Sequence, residues 1–421
     1  MLSTRSANPR VDPIDLSSGA FPYDHGDLSI GAGDFPYGLA FRRSYNSNNL
    51  YAKGPLGAGW SHGFAISASA NSDGLKGMGQ DSPIDGAAVL AAMHVAQDLF
   101  SDANKPFDKV LIATLVQKWL MDRLINNTVN VTTGVQGEQF VLLADGSYNP
   151  QLGSSSRLTL KDGLYSLQYK DGTMLRFNSD GNISSWQVPT GLSVSFAYDA
   201  SSPPLLTSVS NSIGRSLNLA YNGSKQLVSV ADNASPPRSV AYGYDAAGNL
   251  ASFTDPVGNA TTFSYTPADG GFPKGLLSQI FYPSNPATPF VTNAYDTLGR
   301  VAVQTNANGA TWNYFFAGYR SEEDDPNGTQ HVLYYNPRGK ALFDIQDAAG
   351  LSLQTRFTYD GLDRLTATVL PSGLTTSYTY AAAPNPWANN VATVTRSAAS
   401  GPLTPTVTSY AYEANFNKPA R

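Results

Sequence analysis

Tyr242-Gly243-Tyr244-Asp245-Ala246-Ala247-Gly248-Asn249-Leu250 sets two aromatics at alternate positions, then Asp-x-x-Gly, then an apolar residue. Aromatics at period 2 lie on one face of a strand. The Asp supplies a side-chain acceptor for a turn, and the Gly tolerates positive φ. The stretch therefore encodes strand, turn, strand. Working outward, the same pattern appears at Phe196-Ala197-Tyr198-Asp199, and 23 residues separate Tyr198 from Tyr221 and Tyr221 from Tyr244. It returns at Phe263-Ser264-Tyr265, Tyr295-Asp296-Thr297-Leu298-Gly299-Arg300 and Tyr335-Asn336-Pro337-Arg338-Gly339-Lys340. The last copies are Phe357-Thr358-Tyr359-Asp360-Gly361-Leu362-Asp363-Arg364-Leu365, Tyr378-Thr379-Tyr380 and Tyr410-Ala411-Tyr412-Glu413. Pro256-Val257-Gly258 and Pro371-Ser372-Gly373 turn the chain again between copies.

A single hairpin is only marginally stable, whereas stacked hairpins pair their edges and bury a continuous Tyr/Phe face. The expected fold is mainly β, with stacked hairpins forming a long spiralling sheet and an inserted α-helical hairpin. The expected boundaries are 1–80 for a β-rich N-terminal segment, 81–128 for the helical insertion, 129–189 for a β-rich lead-in and 190–421 for the repeats. In the insertion, Ser82-Pro83-Ile84-Asp85 reads as an N-cap with Pro in the first turn. Val89/Leu90, Met93, Ala96 and Leu99/Phe100 follow at helical spacing. Pro106 opens a second helix carrying Phe107, Leu111, Leu115, Trp119/Leu120 and Leu124. A helical hairpin packed on the sheet is the expected arrangement, and a plug or partner surface is the alternative.

Composition agrees with a turn-rich β protein. Of 421 residues, 38 are Gly, 27 Pro, 23 Tyr and 19 Phe, and 14% are charged against roughly a quarter on average. Four of the 32 acids are Glu, and the excess of Asp favours turns over helix interiors. With no Cys, disulfides, thiolate metal sites and cysteine catalysis are excluded. A net charge of −5 gives no reason to expect nucleic acid, and no apolar run reaches the length of a membrane-spanning helix. Met1-Leu2-Ser3-Thr4-Arg5-Ser6 lacks the apolar region of a signal peptide, and no capping element follows the last repeat. A truncated natural product or a designed chain is the expectation.

The recurring YDxxGRL and PxG elements resemble the Rhs, or YD-repeat, family. The N-terminal pieces Asp12-Pro13-Ile14-Asp15-Leu16-Ser17-Ser18-Gly19, Phe41-Arg42-Arg43-Ser44-Tyr45-Asn46-Ser47 and Gly54-Pro55-Leu56-Gly57-Ala58-Gly59-Trp60-Ser61-His62 look like the segment preceding the repeats in Rhs polymorphic toxins. The resemblance covers about residues 11–66 and 135–421. It implies a β-spiral forming a hollow cocoon, as in the C component of Tc toxins and in teneurins. It also implies a structural, non-enzymatic shell that encloses or chaperones a C-terminal toxin domain or effector. Further implied partners are a secretion-system component or a glycan, in interbacterial competition, with the chain cytoplasmic before delivery and secreted or at the cell surface afterwards. The family's terminal Asp-Pro-x-Gly core motif is not found, and about nine repeats are few for a closed shell. A surface or secreted module binding glycans or partner-cell proteins is the alternative.

No catalytic, cofactor or metal residues are nominated. His25, His62, His94 and His331 show no paired spacing for zinc. Tyr23-Asp24-His25-Gly26-Asp27 reads as an ordinary loop, with metal or substrate binding as the sharper alternative. His62 beside Trp60 reads as a packing residue and His94 as a helix-surface histidine. Glu322-Glu323-Asp324-Asp325 lacks the alternating ligand pattern of a Ca²⁺ loop and reads as a solvated loop. The residues singled out are the repeat signature itself: Tyr198, Asp199, Tyr221, Tyr244, Asp245, Gly248, Tyr265, Tyr295, Asp296, Gly299, Arg300, Tyr335, Gly339, Tyr359, Asp360, Arg364, Tyr380 and Tyr412. Their Tyr rings are expected in the core rather than on sugars.

Overall fold

The structure is a computed structural model that describes residues 14–50, 53–73, 83–100, 105–134, 136–143, 145–151, 154–267, 274–381, 389–398, 404–413 and 419. It is mainly β. Twenty-three antiparallel strands, from Arg157–Lys161 to Thr406–Ser409, form one sheet in which every strand pairs with the next in sequence. The hairpins thus begin ahead of the first clear repeat at Phe196, because the earlier strands pair without carrying the Tyr-Asp signature.

Eight of the nine signature Tyr residues, all but Tyr412, follow a one-residue register shift. The shift falls between Ala197/Tyr198, Ala220/Tyr221, Gly243/Tyr244, Ser264/Tyr265 and Ala294/Tyr295. It recurs before Tyr335, Tyr359 and Tyr380. Such a bulge adds twist and alters which residues share a face. Accordingly the strand after each turn buries residues three apart: Leu206 and Val209, Leu227 and Val230, Leu250 and Phe253, Leu277 and Ile280.

That buried face is covered by a three-stranded sheet of Pro22–Ile30, Leu39–Asn46 and Trp60–His62. Rings meet across the join at 5–6.5 Å: Phe41 with Tyr242, Tyr23 and Trp60 with Phe263, Phe64 with Phe196. A four-stranded sheet of Ile66–Asn71, Thr128–Thr133, Gln136–Leu142 and Tyr148–Pro150 lies beside them. It is tied to the long sheet by the Ala68 amide donating to the Gly181 carbonyl at 2.7 Å.

Two helices, α1 (Pro83–Phe100) and α2 (Pro106–Leu124), are inserted at the tip of the hairpin in which Asn71 faces Thr128. The expected cap at Ser82 lies outside the described residues. Pro stands in the first turn of both, and Asp108 in that of α2 favours the positive end of the helix. Among the described side chains, neither helix contributes one to the hydrophobic core, in contrast with the expected packing on the sheet.

Two other readings change. Residues 23–27 are not a loop but part of the strand Pro22–Ile30, bulged between Gly26 and Leu28. The acidic run is not a solvated loop either: Arg320–Asp324 is a strand, and Glu323 is buried between its partners Tyr314 and His331. Pairing on both sides overrides the low strand propensity of Glu and Asp.

Candidate functional site

The alternation Leu39, Phe41, Arg43, Tyr45 puts Arg43 on the buried side of its strand. Its guanidinium is wholly buried against the Asp27 carboxylate, Nε donating to the two oxygens at 3.0 and 2.8 Å. Asp27 also accepts from the Tyr242 hydroxyl at 2.8 Å and lies 2.7 Å from His25 Nδ1. The two terminal nitrogens of Arg43 have no hydrogen-bond partner among the described residues. Instead the cation stands 4.4 Å from the centre of the Phe253 ring, 5.1 Å from Phe263, 5.4 Å from Trp60 and 5.8 Å from Tyr23. A cation over ring faces is attracted by the ring quadrupole, more strongly when desolvated. Burial, the largest single influence, lowers the Arg43 pKa, but Asp27 together with Tyr23 and Tyr242 outweighs it and the net shift is upward. Tyr242 is pushed well up by burial and by Asp27. The cluster is a buried charged clamp joining the N-terminal unit to the repeats, and sequence reading missed it although the strand alternation signalled it.

The N-terminal motifs dock on the signature turns. The Pro55 carbonyl accepts from the Leu227 amide at 2.9 Å and from the Tyr244 hydroxyl at 3.0 Å. Gly57 approaches so closely that an added Cβ would lie 2.9 Å from the Gly248 carbonyl oxygen. Trp60 Nε1 donates to the Tyr265 hydroxyl at 2.8 Å, and the Leu277 amide donates to the Tyr45 hydroxyl at 2.9 Å. Gly19 abuts Arg300, and its carbonyl accepts from the Val301 amide at 2.9 Å. His62 is buried, stacked 5.2 Å from Phe41, and burial lowers its pKa to about 4. His94 is exposed on α1.

The signature residues tie hairpin to hairpin. Seven of the nine signature Tyr hydroxyls donate to a carbonyl of the preceding hairpin at 2.6–3.1 Å: Tyr221 to Leu206, Tyr244 to Leu227, Tyr265 to Leu250, Tyr295 to Leu277, Tyr359 to Ala341, Tyr380 to Leu365, Tyr412 to Val391. Tyr198 packs against the core, and the Tyr335 hydroxyl lies 3.3 Å from Ser321 Oγ. Asp245, Asp296 and Asp360 each accept the amides two and four residues on, at 2.9–3.0 Å. Asp199 accepts those of Ser201 and Leu205. Gly248, Gly299 and Gly339 take positive φ at the turns, and Asp363 takes that place after Asp360. Arg300 and Arg364 reach back to Asp296 and Asp360, then lie over the Phe316 and Tyr380 rings. Although partial burial opposes it, these amides and guanidinium groups lower the pKa of Asp296 and of Asp360.

Beyond Val291 polar side chains join the apolar ones on the inner face, where Val301, Tyr314 and Leu333 are still buried. The buried pair Asn293 and Gln304 share a 2.9 Å hydrogen bond. Paired register continues the face through Tyr314 and Phe316 to Glu323 and Ser321, then to His331 and Leu333, to Gln346 and Asp344, and on to Leu353 and Thr355. His331 Nε2 lies 2.9 Å from Asp344 Oδ1. Among the described residues, no group of three His, Asp or Glu side chains is placed to hold a metal ion, and no helix is long and apolar enough to cross a membrane.

The ends of the long sheet meet. Lys170 Nζ, between the second and third strands, stands 5.6 Å from the centre of the Tyr412 ring, just past the last strand. Twenty strand steps separate the third strand from the last, about 95 Å in a flat sheet at ~4.8 Å per step. The sheet therefore coils back on itself around the N-terminal unit.

The chain is a tandem β-hairpin protein with a docked N-terminal unit. Residues 244–269 match the RHS Repeat family and residues 11–81 match a domain of unknown function, DUF6531. No curated protein matches it by sequence. Among solved structures, the pore of the Photorhabdus luminescens Tc holotoxin, carrying a TccC3 variant, is similar at 14% identity over 70% of this chain, with a TM-score of 0.40. The TcdB2–TccC3 complex is similar at 15% identity over 72%, with a TM-score of 0.40. The chain spans about a fifth of the length of those two structures' chains, 20% and 21%.

Proposed function

We propose that this chain is a structural part of an Rhs-type toxin shell, which encloses or chaperones a polypeptide effector for export. The contact between Lys170 and Tyr412 carries the reading, because a sheet coiled through a full circuit bounds an interior. The polar side chains interspersed on the inner face between Asn293 and Thr355, Glu323, His331 and Asp344 among them, support it, since such groups suit water or a polar chain surface better than a wholly apolar core. The signature residues act here as structural ties and not in chemistry, so the chain works without a cofactor. The effector would be the natural C-terminal continuation, delivered from the cytoplasm to the outside in competition between bacteria. The test is limited proteolysis of the product purified from its native host. The reading expects a protected effector fragment that co-elutes with the shell, and digestion of that fragment at the rate of the isolated effector would overturn it.

A second reading is favoured by exposed rings near one edge of the acidic strand. Phe315, Tyr319 and Tyr334 stand 52%, 60% and 38% exposed, and Arg320 lies over Tyr334. Apolar sugar faces pack on such rings. Binding on a glycan array that is lost in Tyr334→Ala would support this surface, and a silent array would exclude it.

A further inference from the structure

The helical hairpin carries more apolar surface than its own two helices cover. On α1, Ala88, Ala92, Val95 and Leu99 recur at spacings of four, three and four, and all are exposed. On α2, Phe107, Leu111, Thr114, Lys118, Met121 and Ile125 repeat the four-three alternation through the helix, again exposed. This is the heptad spacing of a seam that packs against another helix. The stripes do not face the groove between α1 and α2, which is lined by Met93, Leu115, Val116 and Trp119.

The extent is large. Leu99 is 79% exposed, Phe107 76%, Val95 56%, Met121 49%, Ile125 48% and Leu111 46%. At roughly 150–200 Å² for a whole side chain of this size, these six expose on the order of 600 Å². That is at the top of the ~300–600 Å² range for a monomer's largest patch and reaches the ~600 Å² per partner at the small end of specific interfaces. Charge points to no anionic lipid or nucleic acid. Across residues 83–125, Asp85, Asp98, Asp102, Asp108 and Asp122 stand against Lys105, Lys109, Lys118 and Arg123.

We propose that the hairpin is a self-association element, and that a second copy of this chain covers the two stripes with its own hairpin in a helical bundle. Heptad seams on both helices of one hairpin supply the matching surface on the other. Lys118 interrupts the seam of α2. A polar residue at such a position sets register and oligomer state at a cost in stability.

The test is the mass of the full chain by light scattering and its dissociation by sedimentation equilibrium. The proposal expects a dimer of twice 44.8 kDa. Lys118→Leu should tighten it at least tenfold, and Leu111→Glu with Met121→Glu should loosen it at least tenfold while the β-sheet circular dichroism signal is kept. Tightening by Lys118→Leu is a gain that misfolding cannot imitate. A 44.8 kDa species up to about 100 μM, a dimer indifferent to all three substitutions, or a monomer that floats with phosphatidylcholine vesicles would each overturn the proposal.

Discussion

Two stretches of the one sheet use the same turn code and differ in what their inner face meets. Between Ser193 and Phe281 the inner positions are Val194, Phe196, Val209, Leu217, Leu219, Val230, Val240, Tyr242, Phe253, Phe263 and Ile280, all buried under the N-terminal unit. Between Ala341 and Ser409 no strand buries an apolar side chain, and the positions matching Phe253 and Phe263 are Thr368 and Tyr378. Yet Tyr265 reaches the Leu250 carbonyl and Tyr380 the Leu365 carbonyl, each at 2.7 Å, and Asp245 and Asp360 alike accept the amides two and four residues on. Local chemistry therefore builds the hairpin in both stretches. The inner residues decide whether the hairpin is also anchored to a core.

Breaking the anchor should have the largest effect. Arg43→Ala leaves the Asp27 carboxylate buried without its cation, and a loss of about 3–5 kcal/mol is expected by urea unfolding. Replacing the pair together, Arg43→Met with Asp27→Leu, should recover much of that loss. An Arg43→Ala change below ~1 kcal/mol would mean that the clamp does not join the two parts. Matched truncations sharpen the comparison. Phe253→Ala should cost about 3–4 kcal/mol through a cavity, whereas Thr368→Ala at the same place in the uncovered stretch should stay within ~0.5 kcal/mol. Equal losses would make cover irrelevant.

The covered stretch should also respond to acid through His62. Its folded pKa near 4 lies below the ordinary value of 6.5, so between those values the unfolded chain binds the extra proton. Stability from this group is complete above pH 6.5 and falls as pH drops toward 4, by up to about 3 kcal/mol. Chemical unfolding of the parent chain against His62→Gln at pH 7 and pH 4.5 should show that excess slope only in the parent. The smallest effects belong to the ties. Tyr380→Phe should cost roughly 1 kcal/mol, and Tyr265→Phe more, because it strands the Trp60 indole donor as well as the Leu250 carbonyl.

The hairpins, their Asp turns and the two helices are legible in the sequence because period 2, period 3.6 and turn chemistry are local signals. The bulge before each signature Tyr is not, since only pairing fixes register, although its effect shows in the spacing of Leu250 and Phe253. Arg43 was readable from its alternation with Phe41 and Tyr45, but an arginine invites a surface reading. The acidic strand Arg320–Asp324 misleads for the opposite reason: its residues disfavour strands, and two neighbouring strands impose the conformation. Contact between Lys170 and Tyr412 spans almost the whole sheet, beyond the reach of any local pattern.

That contact is the central claim, and the chain's lack of Cys makes it directly measurable. Spin labels on Asp171→Cys and Tyr410→Cys, both exposed and adjacent to the contact, report the gap by double electron–electron resonance. A coiled sheet predicts a narrow distribution at or below roughly 30 Å, where a flat sheet would place the labels about 95 Å apart. A distribution beyond the ~80 Å reach of the method, with the sheet intact by circular dichroism, would contradict the coil and the shell built on it.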